Sequence, residues 1–303
     1  MSKTLSTLVD DIYQLMKDRN SDKGVDIEAE IDKFGEAMKD IMRKEFLPST
    51  KGRDGRKLRL SSVGKNDLVQ WFSYNGYRGE RIKPYTLIKF MYGHMIEEML
   101  LLFTRLAGHE VTDEQKAVSV GGVVGHMDCK INGIVTDVKS TTKYGLMKFK
   151  DRTLASKDDF GYVDQIKAYA HAEGQRKWAW LAMDRDSGKL AVLEYDLDNK
   201  ADPMHEYFSD NIEERIEHVK KSVKQEDRPS RCYSPQEDGK SGNLKLCTTC
   251  SYCQYKRICY PEVRAFHTGS GPKFLTTVVN VPKNRKGNPY PEINLDQQEN
   301  NYD

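Results

Sequence analysis

Asp128, Asp137 and Lys139 flank one short turn, and residues of these types at this spacing can hold a divalent cation with a water beside it. The stretch from Gly125 to Ser140 sets Asn132-Gly133 between two alternating runs, the strongest short-range signal for a β-hairpin. A two-residue turn puts Ile131 opposite Ile134, Lys130 opposite Val135, Cys129 opposite Thr136 and Asp128 opposite Asp137. Side chains alternate along strands, so Met127, Cys129, Ile131, Ile134 and Val138 share an apolar face. His126, Asp128, Asp137 and Lys139 share the other. Directly opposed carboxylates have Cβ atoms only about 4.5–5.5 Å apart and repel unless something positive lies between them. Hard oxygen donors suit Mg²⁺ or Mn²⁺, and Lys139 reaches the same place with a charge able to orient water or steady a phosphorane-like anion. An ordinary solvent-facing strand also carries acids and lysines. Here the spacing, the turn and the apolar reverse face agree on a metal site.

Other elements have to position this hairpin. A helix is expected from about Pro84 to Leu106, apolar almost all round from Met95 to Phe103 apart from Glu97 and Glu98, so two carboxylates sit on a helix of buried composition. Strand patterns follow at 117–124, 125–131 and 134–140, then helices near 144–151 and 161–173, and strands near 178–184 and 190–196. Another helix is expected over about 204–223. On the helix near 161–173, Gln165 and Tyr169 lie four apart, on one face. Two N-terminal helices, split around Asn20–Gly24, read as an accessory region.

Composition limits the classes open to the chain. At 303 residues it is long enough to bury a real core, and at net +2 with 31% charged residues any attraction for nucleic acid must come from local patches. Lys143, Lys148, Lys150 and Arg152, just beyond the second strand, are such a patch. No basic stretch leads into an apolar run and no long apolar segment occurs, so a soluble, cytoplasmic protein is expected. Five of the six cysteines, Cys232, Cys247, Cys250, Cys253 and Cys259, crowd one segment while Cys129 stands alone, a pattern that favours metal over disulfides.

Together these residues resemble the PD-(D/E)XK nuclease superfamily, and within it the RecB-like exonucleases, which include phage recombination and replication nucleases and relatives of the CRISPR adaptation nucleases. Gly125-His-Met-Asp128 resembles the G-x-x-D strand and Asp137-Val-Lys139 the (D/E)-x-K strand. The resemblance implies that both aspartates bind metal, that the Val138 carbonyl contributes, and that Lys139 is catalytic. Gln165-Ile-Lys-Ala-Tyr169 resembles the Q-x-x-x-Y helix, which implies that Gln165 and Tyr169 support the active site and contact DNA. Gly93-His-Met-Ile-Glu97 resembles the first motif, which makes Glu97 the third metal ligand in preference to Glu98 or His94, although periodicity alone leaves Glu98 open. Cys250, Cys253 and Cys259, spaced C-x₂-C-x₅-C, resemble the C-terminal cysteines of iron–sulfur members of the group. Those relatives take a fourth cysteine from a segment before the first motif, where this chain has none. Cys129 points into the core, so Cys232 or Cys247 must supply the fourth thiolate, and Cys232, outside the tight C-x₂-C-x₂-C run, is preferred with Cys247 as the spare. Four thiolates suit a 4Fe–4S cluster or Zn²⁺, and the resemblance favours the cluster.

The expected fold is α/β: a restriction-endonuclease-like core, a central mixed sheet flanked by helices, with an N-terminal helical region and a C-terminal cysteine-rich segment. Residues 1–57 form the helical region, 58–231 the nuclease core, 232–282 the cysteine-rich segment and 283–303 a disordered tail. The expected function is Mg²⁺- or Mn²⁺-dependent DNA hydrolysis, most simply as an exonuclease, in the host cytoplasm if the chain is phage-encoded. A non-catalytic DNA-binding or scaffold module of the same fold is the alternative. A zinc-ribbon interaction protein leaves the hairpin and the buried carboxylate unexplained.

Overall fold

The computed structural model describes residues 3–20, 24–47, 57–208 and 211–295. Its helices are α1 (Leu8–Asp18), α2 (Ile27–Phe46), α3 (Asp67–Tyr74), α4 (Pro84–Leu106), α5 (Lys143–Lys150), α6 (Tyr162–Ala172), α7 (His205–Phe208), α8 (Ile212–Ser222), α9 (Thr248–Tyr252) and α10 (Lys256–Cys259). Its strands are β1 (Val111–Thr112), β2 (Ala117–Val120), β3 (Val123–His126), β4 (Cys129–Ile131), β5 (Ile134–Thr141), β6 (Lys177–Asp184), β7 (Leu190–Asp196), β8 (Gln236–Glu237), β9 (Leu244–Lys245), β10 (Arg264–Thr268), β11 (Gly271–Thr277) and β12 (Glu292–Ile293). The chain divides into two compact units, Met1–Gly64 with Pro84–Lys220, and Lys65–Lys83 with Lys221–Asp303.

The first unit is mixed α/β, as expected, around a sheet of order β1-β4-β5-β6-β7. Strands β4 and β5 form the hairpin in the expected register, Ile131 opposite Ile134 and Cys129 opposite Thr136. Its turn works because Asn132 and Gly133 both take positive φ, 49° and 78°, as a type I′ turn requires. From β5 the chain crosses through α5 and α6 to β6, which pairs parallel to β5, and β7 returns antiparallel. Strand β6 is buried along nearly its whole length, the pattern of a central strand covered on both faces.

The N-terminal helices are not accessory. Leu5, Leu8 and Ile12 share one core with Leu100 and Leu101 of α4, Cys129, Ile131 and Val138 of the hairpin, and Leu181 of β6. The Tyr13 hydroxyl accepts from the Leu190 amide at 2.7 Å, and Arg105 of α4 pairs with Glu30 of α2. The apolar stripe of α1 is buried against α4 and the sheet, whereas α2 lies along α4 with Ile27 and Ile31 exposed. The expected continuous strand over 125–131 is broken at Met127 and Asp128: β3 pairs with β2 as a separate hairpin, and only β4 enters the central sheet. The expected helix over 204–223 is divided into α7 and α8, and the linker residues 48–56 lie outside the described residues.

The second unit carries a sheet of order β12-β10-β11-β9-β8. It takes Lys65–Lys83 from the expected nuclease core because α3 has an apolar side: Leu68, Trp71 and Phe72 pack with Tyr255, against Cys232, Cys253 and Cys259. The Trp71 indole donates to the Gln225 carbonyl at 2.9 Å. The expected disordered tail is ordered as far as residue 295, where β12 pairs with β10 and Arg264 forms an ion pair with Glu292 at 2.6 Å. Residues 296–303 lie outside the described residues. No helix among the described residues is long and apolar enough to cross a membrane.

Leu181, fully buried on β6, joins the sheet to the layer of α1 and α4. Leu181→Ala removes that contact and leaves a cavity, so the urea midpoint should fall by the equivalent of about 2–5 kcal/mol with the slope of the transition unchanged.

Candidate active site

The break after His126 decides how Asp128 is used. Strand β4 starts one residue later, so no ladder partner meets the Val138 amide there, and the Asp128 carboxylate accepts from it at 2.8 Å. Asp128 thus caps the end of the short strand with its side chain. The backbone of Asp128 is held from the other side, where its carbonyl accepts from the Gln115 amide at 2.9 Å. Gln115 also donates through its side chain to Glu97 at 2.8 Å, from a left-handed backbone with φ 51°. Glutamine, unlike asparagine, rarely takes that conformation, and here two contacts hold it.

Asp137 and Lys139, on either side of Val138, come off the same face of β5. Asp137 is almost fully buried, and its Oδ2 lies 2.5 Å from Lys139 Nζ as an ion pair without the alignment of a hydrogen bond. Burial pushes the Asp137 carboxyl above the ordinary range; Lys139 opposes the shift and Asp128 adds to it. Burial pulls Lys139 down, but the charges of Asp137 and Asp128 outweigh it and the ammonium is held above its ordinary range. The ring of Tyr162 faces the same ammonium, 5.0 Å from centroid to Nζ.

Glu97 arrives from α4. Burial raises its carboxyl strongly, followed by the negative charges of Asp128 and Glu98, so Glu97 feels the hairpin carboxylate. Glu98 points elsewhere: after burial, its largest influence is Glu114, with Arg105 opposing. His94 is exposed. The helix α6 brings the remaining group. Gln165 donates to Asp137 Oδ1 and to the Tyr169 hydroxyl, both at 3.4 Å, so the pair four apart meets at the cluster. Gly125 makes room for Tyr169, because a Cβ there would lie 2.9 Å from the ring and 2.7 Å from Leu60. Asp158 fixes the start of α6 by accepting from the amides of Phe160, Gly161, Tyr162 and Val163 at 2.8–3.2 Å. Gly64 and Gly161 touch backbone to backbone there, and a Cβ on either would come within 2.5 Å of the other.

The structure therefore brings Glu97, Asp128, Asp137, Lys139, Gln165 and Tyr169 to one place. Among the described residues, however, no three His, Cys, Asp or Glu side chains are grouped as a ready metal-ligand set. The chemistry of the donors nonetheless fits a cation: Asp137 Oδ2 is buried without an aligned donor, and the acids raise one another. Gln115 and Tyr162 carry no motif and were absent from the expected set. Two of the four expected phosphate-tracking cations are engaged within the chain, Lys148 with Asp159 at 3.0 Å and Arg152 with Asp202, while Lys143 and Lys150 are exposed.

All six cysteines are free; Cys129 is buried in the first unit and the other five lie in the second. Cys232, Cys250, Cys253 and Cys259 line one small cavity together with Leu68, Tyr233 and Tyr260. Burial pushes the Cys232 thiol up to about 11, with Cys259 and Cys253 adding to the shift. Cys247 caps α9, its sulfur accepting from the Cys250 amide at 3.5 Å.

No family model matches the sequence, and no curated protein does. Among solved structures, a protein designated SSO0001 matches at 14% identity and TM-score 0.42, over 74% of this chain and 93% of its own. The alkaline exonuclease LHK-Exo from Laribacter hongkongensis matches at 13% identity and TM-score 0.37, over 56% and 90%. A phage related exonuclease from Haemophilus somnus 129PT matches at 16% identity and TM-score 0.38, over 55% and 93%. Likeness this slight carries no argument about activity.

A carboxyl whose pKa is raised on folding binds its proton more tightly in the folded chain, so stability falls as pH rises from the ordinary carboxylate range through the raised one. Glu97 is such a group. In thermal melts with EDTA, Glu97 should lower the stability of the native protein relative to Glu97→Gln progressively as pH rises from about 4. Glu97→Gln should have a shallower slope and melt higher than native at alkaline pH; equal slopes would remove Glu97 from the cluster.

Proposed function

We propose that the chain is a metal-dependent DNA nuclease, acting most simply as an exonuclease. The observation that carries this is the buried Asp137 with Lys139 Nζ 2.5 Å away, inside a group of acids whose charges raise one another. Burying like charges is costly unless a cation compensates them. Glu97, Asp128, Asp137 and the Val138 carbonyl would hold Mg²⁺ or Mn²⁺, which supplies stabilisation of charge on the scissile phosphate and the leaving oxygen. The Val138 amide is already engaged by Asp128, and in an extended strand the carbonyl of the same residue points to the same side.

The charges of Asp137 and Asp128 hold the Lys139 ammonium above its ordinary range, which suits it to donate hydrogen bonds to a water or a phosphate oxygen. Tyr162 and Asp137 together limit where that ammonium can point. Gln165, bonded to Asp137 and Tyr169, orients the carboxylate. Lys143 and Lys150 offer the exposed positive charge a sugar–phosphate backbone needs. The lack of a ready three-residue ligand group among the described residues favours a second reading, a non-catalytic DNA-binding module of the same fold.

End-labelled linear and circular DNA, single- and double-stranded, separates the two. Native protein with Mg²⁺ or Mn²⁺ should cut, EDTA should stop it, and Lys139→Ala should lower the rate by about 100-fold or more. Binding without cutting on every substrate supports the second reading, and cutting indifferent to Lys139→Ala overturns the proposed centre.

The second unit is proposed to hold a 4Fe–4S cluster on Cys232, Cys250, Cys253 and Cys259, with Zn²⁺ as the competing occupant. Their places around one cavity support this set and the capping role of Cys247 supports leaving it out, although among the described residues these thiols do not form a ready metal-ligand group. Anaerobically purified protein should be brown and contain iron and sulfide in equal amounts, and Cys232→Ser should lose both. Colourless protein with stoichiometric zinc would sink the cluster.

A further inference from the structure

The first half of α4 is uncovered although its composition suits burial. Tyr85, Leu87, Ile88, Phe90 and Tyr92 are 46–53% exposed, whereas the same helix is buried from Leu100 onward. Scattered exposed apolar residues are ordinary, but here two strips are left open, Tyr85, Ile88 and Tyr92 on one side of the helix and Leu87 and Phe90 on the opposite side. From Pro84 to Ile96 the helix carries Lys89 and His94 and no acid. Lys89 Nζ stands 5.7 Å from the centre of the Tyr85 ring.

Phe90 belongs to the face that reaches the carboxylates. Residues seven apart return to nearly the same side of a helix, so Phe90 and Glu97 point the same way with Gly93 between them. A Cβ at Gly93 would meet nothing within 4 Å, and its backbone is not left-handed. Neither packing nor a turn calls for glycine here, and a mid-helix glycine weakens the helix relative to alanine. What the glycine leaves is a bare strip of backbone between an exposed ring and Glu97, the arrangement that lets a ligand approach closely.

We infer that Phe90 and Gly93 form a stacking site for an unpaired nucleobase, beside the phosphate engaged by the carboxylate–lysine cluster. The inference rests on the nuclease proposal above. A base lying across Gly93 meets the Phe90 ring face to face, and Lys89 and His94 lie beside it for the adjoining phosphates. Every base offers a π face, so the contact grips a strand end without reading its sequence. Charge favours this occupant over a second copy of the chain. A strip with basic groups and no acid complements a polyanion, whereas a two-fold pairing of the same strip sets Lys89 and His94 against their own equivalents.

The test measures binding in EDTA, to prevent cutting, of a labelled single-stranded oligonucleotide and of the same strand with its terminal bases replaced by abasic sites. Native protein should bind the abasic strand about tenfold more weakly. Phe90→Ala should bind the complete strand as weakly as native binds the abasic one, and should no longer tell the two apart. Gly93→Ala should melt higher than native yet bind the complete strand more weakly, which a purely structural glycine would not do. Equal binding of the two strands by native protein, unchanged discrimination by Phe90→Ala, or no binding of either strand overturns the inference. A Phe90→Ala protein that changes its sedimentation state but not its DNA binding also overturns it, and assigns the strip to self-association. Base-dependent binding through Phe90 without Lys139-dependent cutting leaves the stacking site standing and removes the nuclease proposal.

Discussion

A hydrogen bond from the Val138 amide to the Asp128 carboxylate, at 2.8 Å, is the contact on which the rest of the cluster depends. It occupies the place where the β4–β5 ladder would continue, and it does so with a side chain, so the backbone before β4 is free to leave the sheet and build the β2–β3 hairpin. Because Val138 faces the apolar core, its neighbours Asp137 and Lys139 face the opposite way. The bond thus ends one strand beside the stretch of the other where alternation gathers the charge. Without an acceptor at that amide, a buried N–H would be left unpaired at the centre of the sheet, a cost of about 1–3 kcal/mol.

The charge so gathered is only partly compensated within the chain. Lys139 answers Asp137, and Gln115 and Gln165 answer Glu97 and Asp137 with neutral donors. Neutral donors steady a carboxylate without cancelling its repulsion of another, which is why burial and neighbouring acids still raise Glu97 and Asp137. Glu173, elsewhere in the first unit, is matched by cations instead. Glu173 meets Lys116 and Lys130 at 2.9 and 2.5 Å, and its carboxyl is held below the ordinary range by those contacts. The contrast within one unit sets the cluster apart from ordinary ion pairing.

The hairpin was legible in the sequence because Asn132-Gly133 is a turn signal with a single geometric meaning, and alternation then ordered every residue around it. The break at Met127 was not, since alternation runs on unchanged through His126, Met127, Asp128 and Cys129 whether or not the strand continues. Glu97 could be chosen over Glu98 only by resemblance; packing separates them, one toward Asp128 and the other toward Glu114 and Arg105. Gln115 and Tyr162 act through contacts distant in sequence and sit in no periodic pattern, so nothing local marks them. The same holds for α3, whose apolar side meets the cysteines although it contains none, and for β12, a two-residue strand in a polar stretch.

Leu8 and Ile12 press on the core behind Val138, while the motifs themselves begin only at Gly93. The smallest autonomous form of this site is accordingly set by its floor and not by its signature. A fragment bearing every chemical group but starting after α2 would leave Leu100, Leu101 and Leu181 without the cover of Leu8 and Ile12. Insertions or fusions are better accepted on the solvent side, for instance beside Gly188 in the exposed β6–β7 turn, with Gly188 itself kept because its φ is 69°.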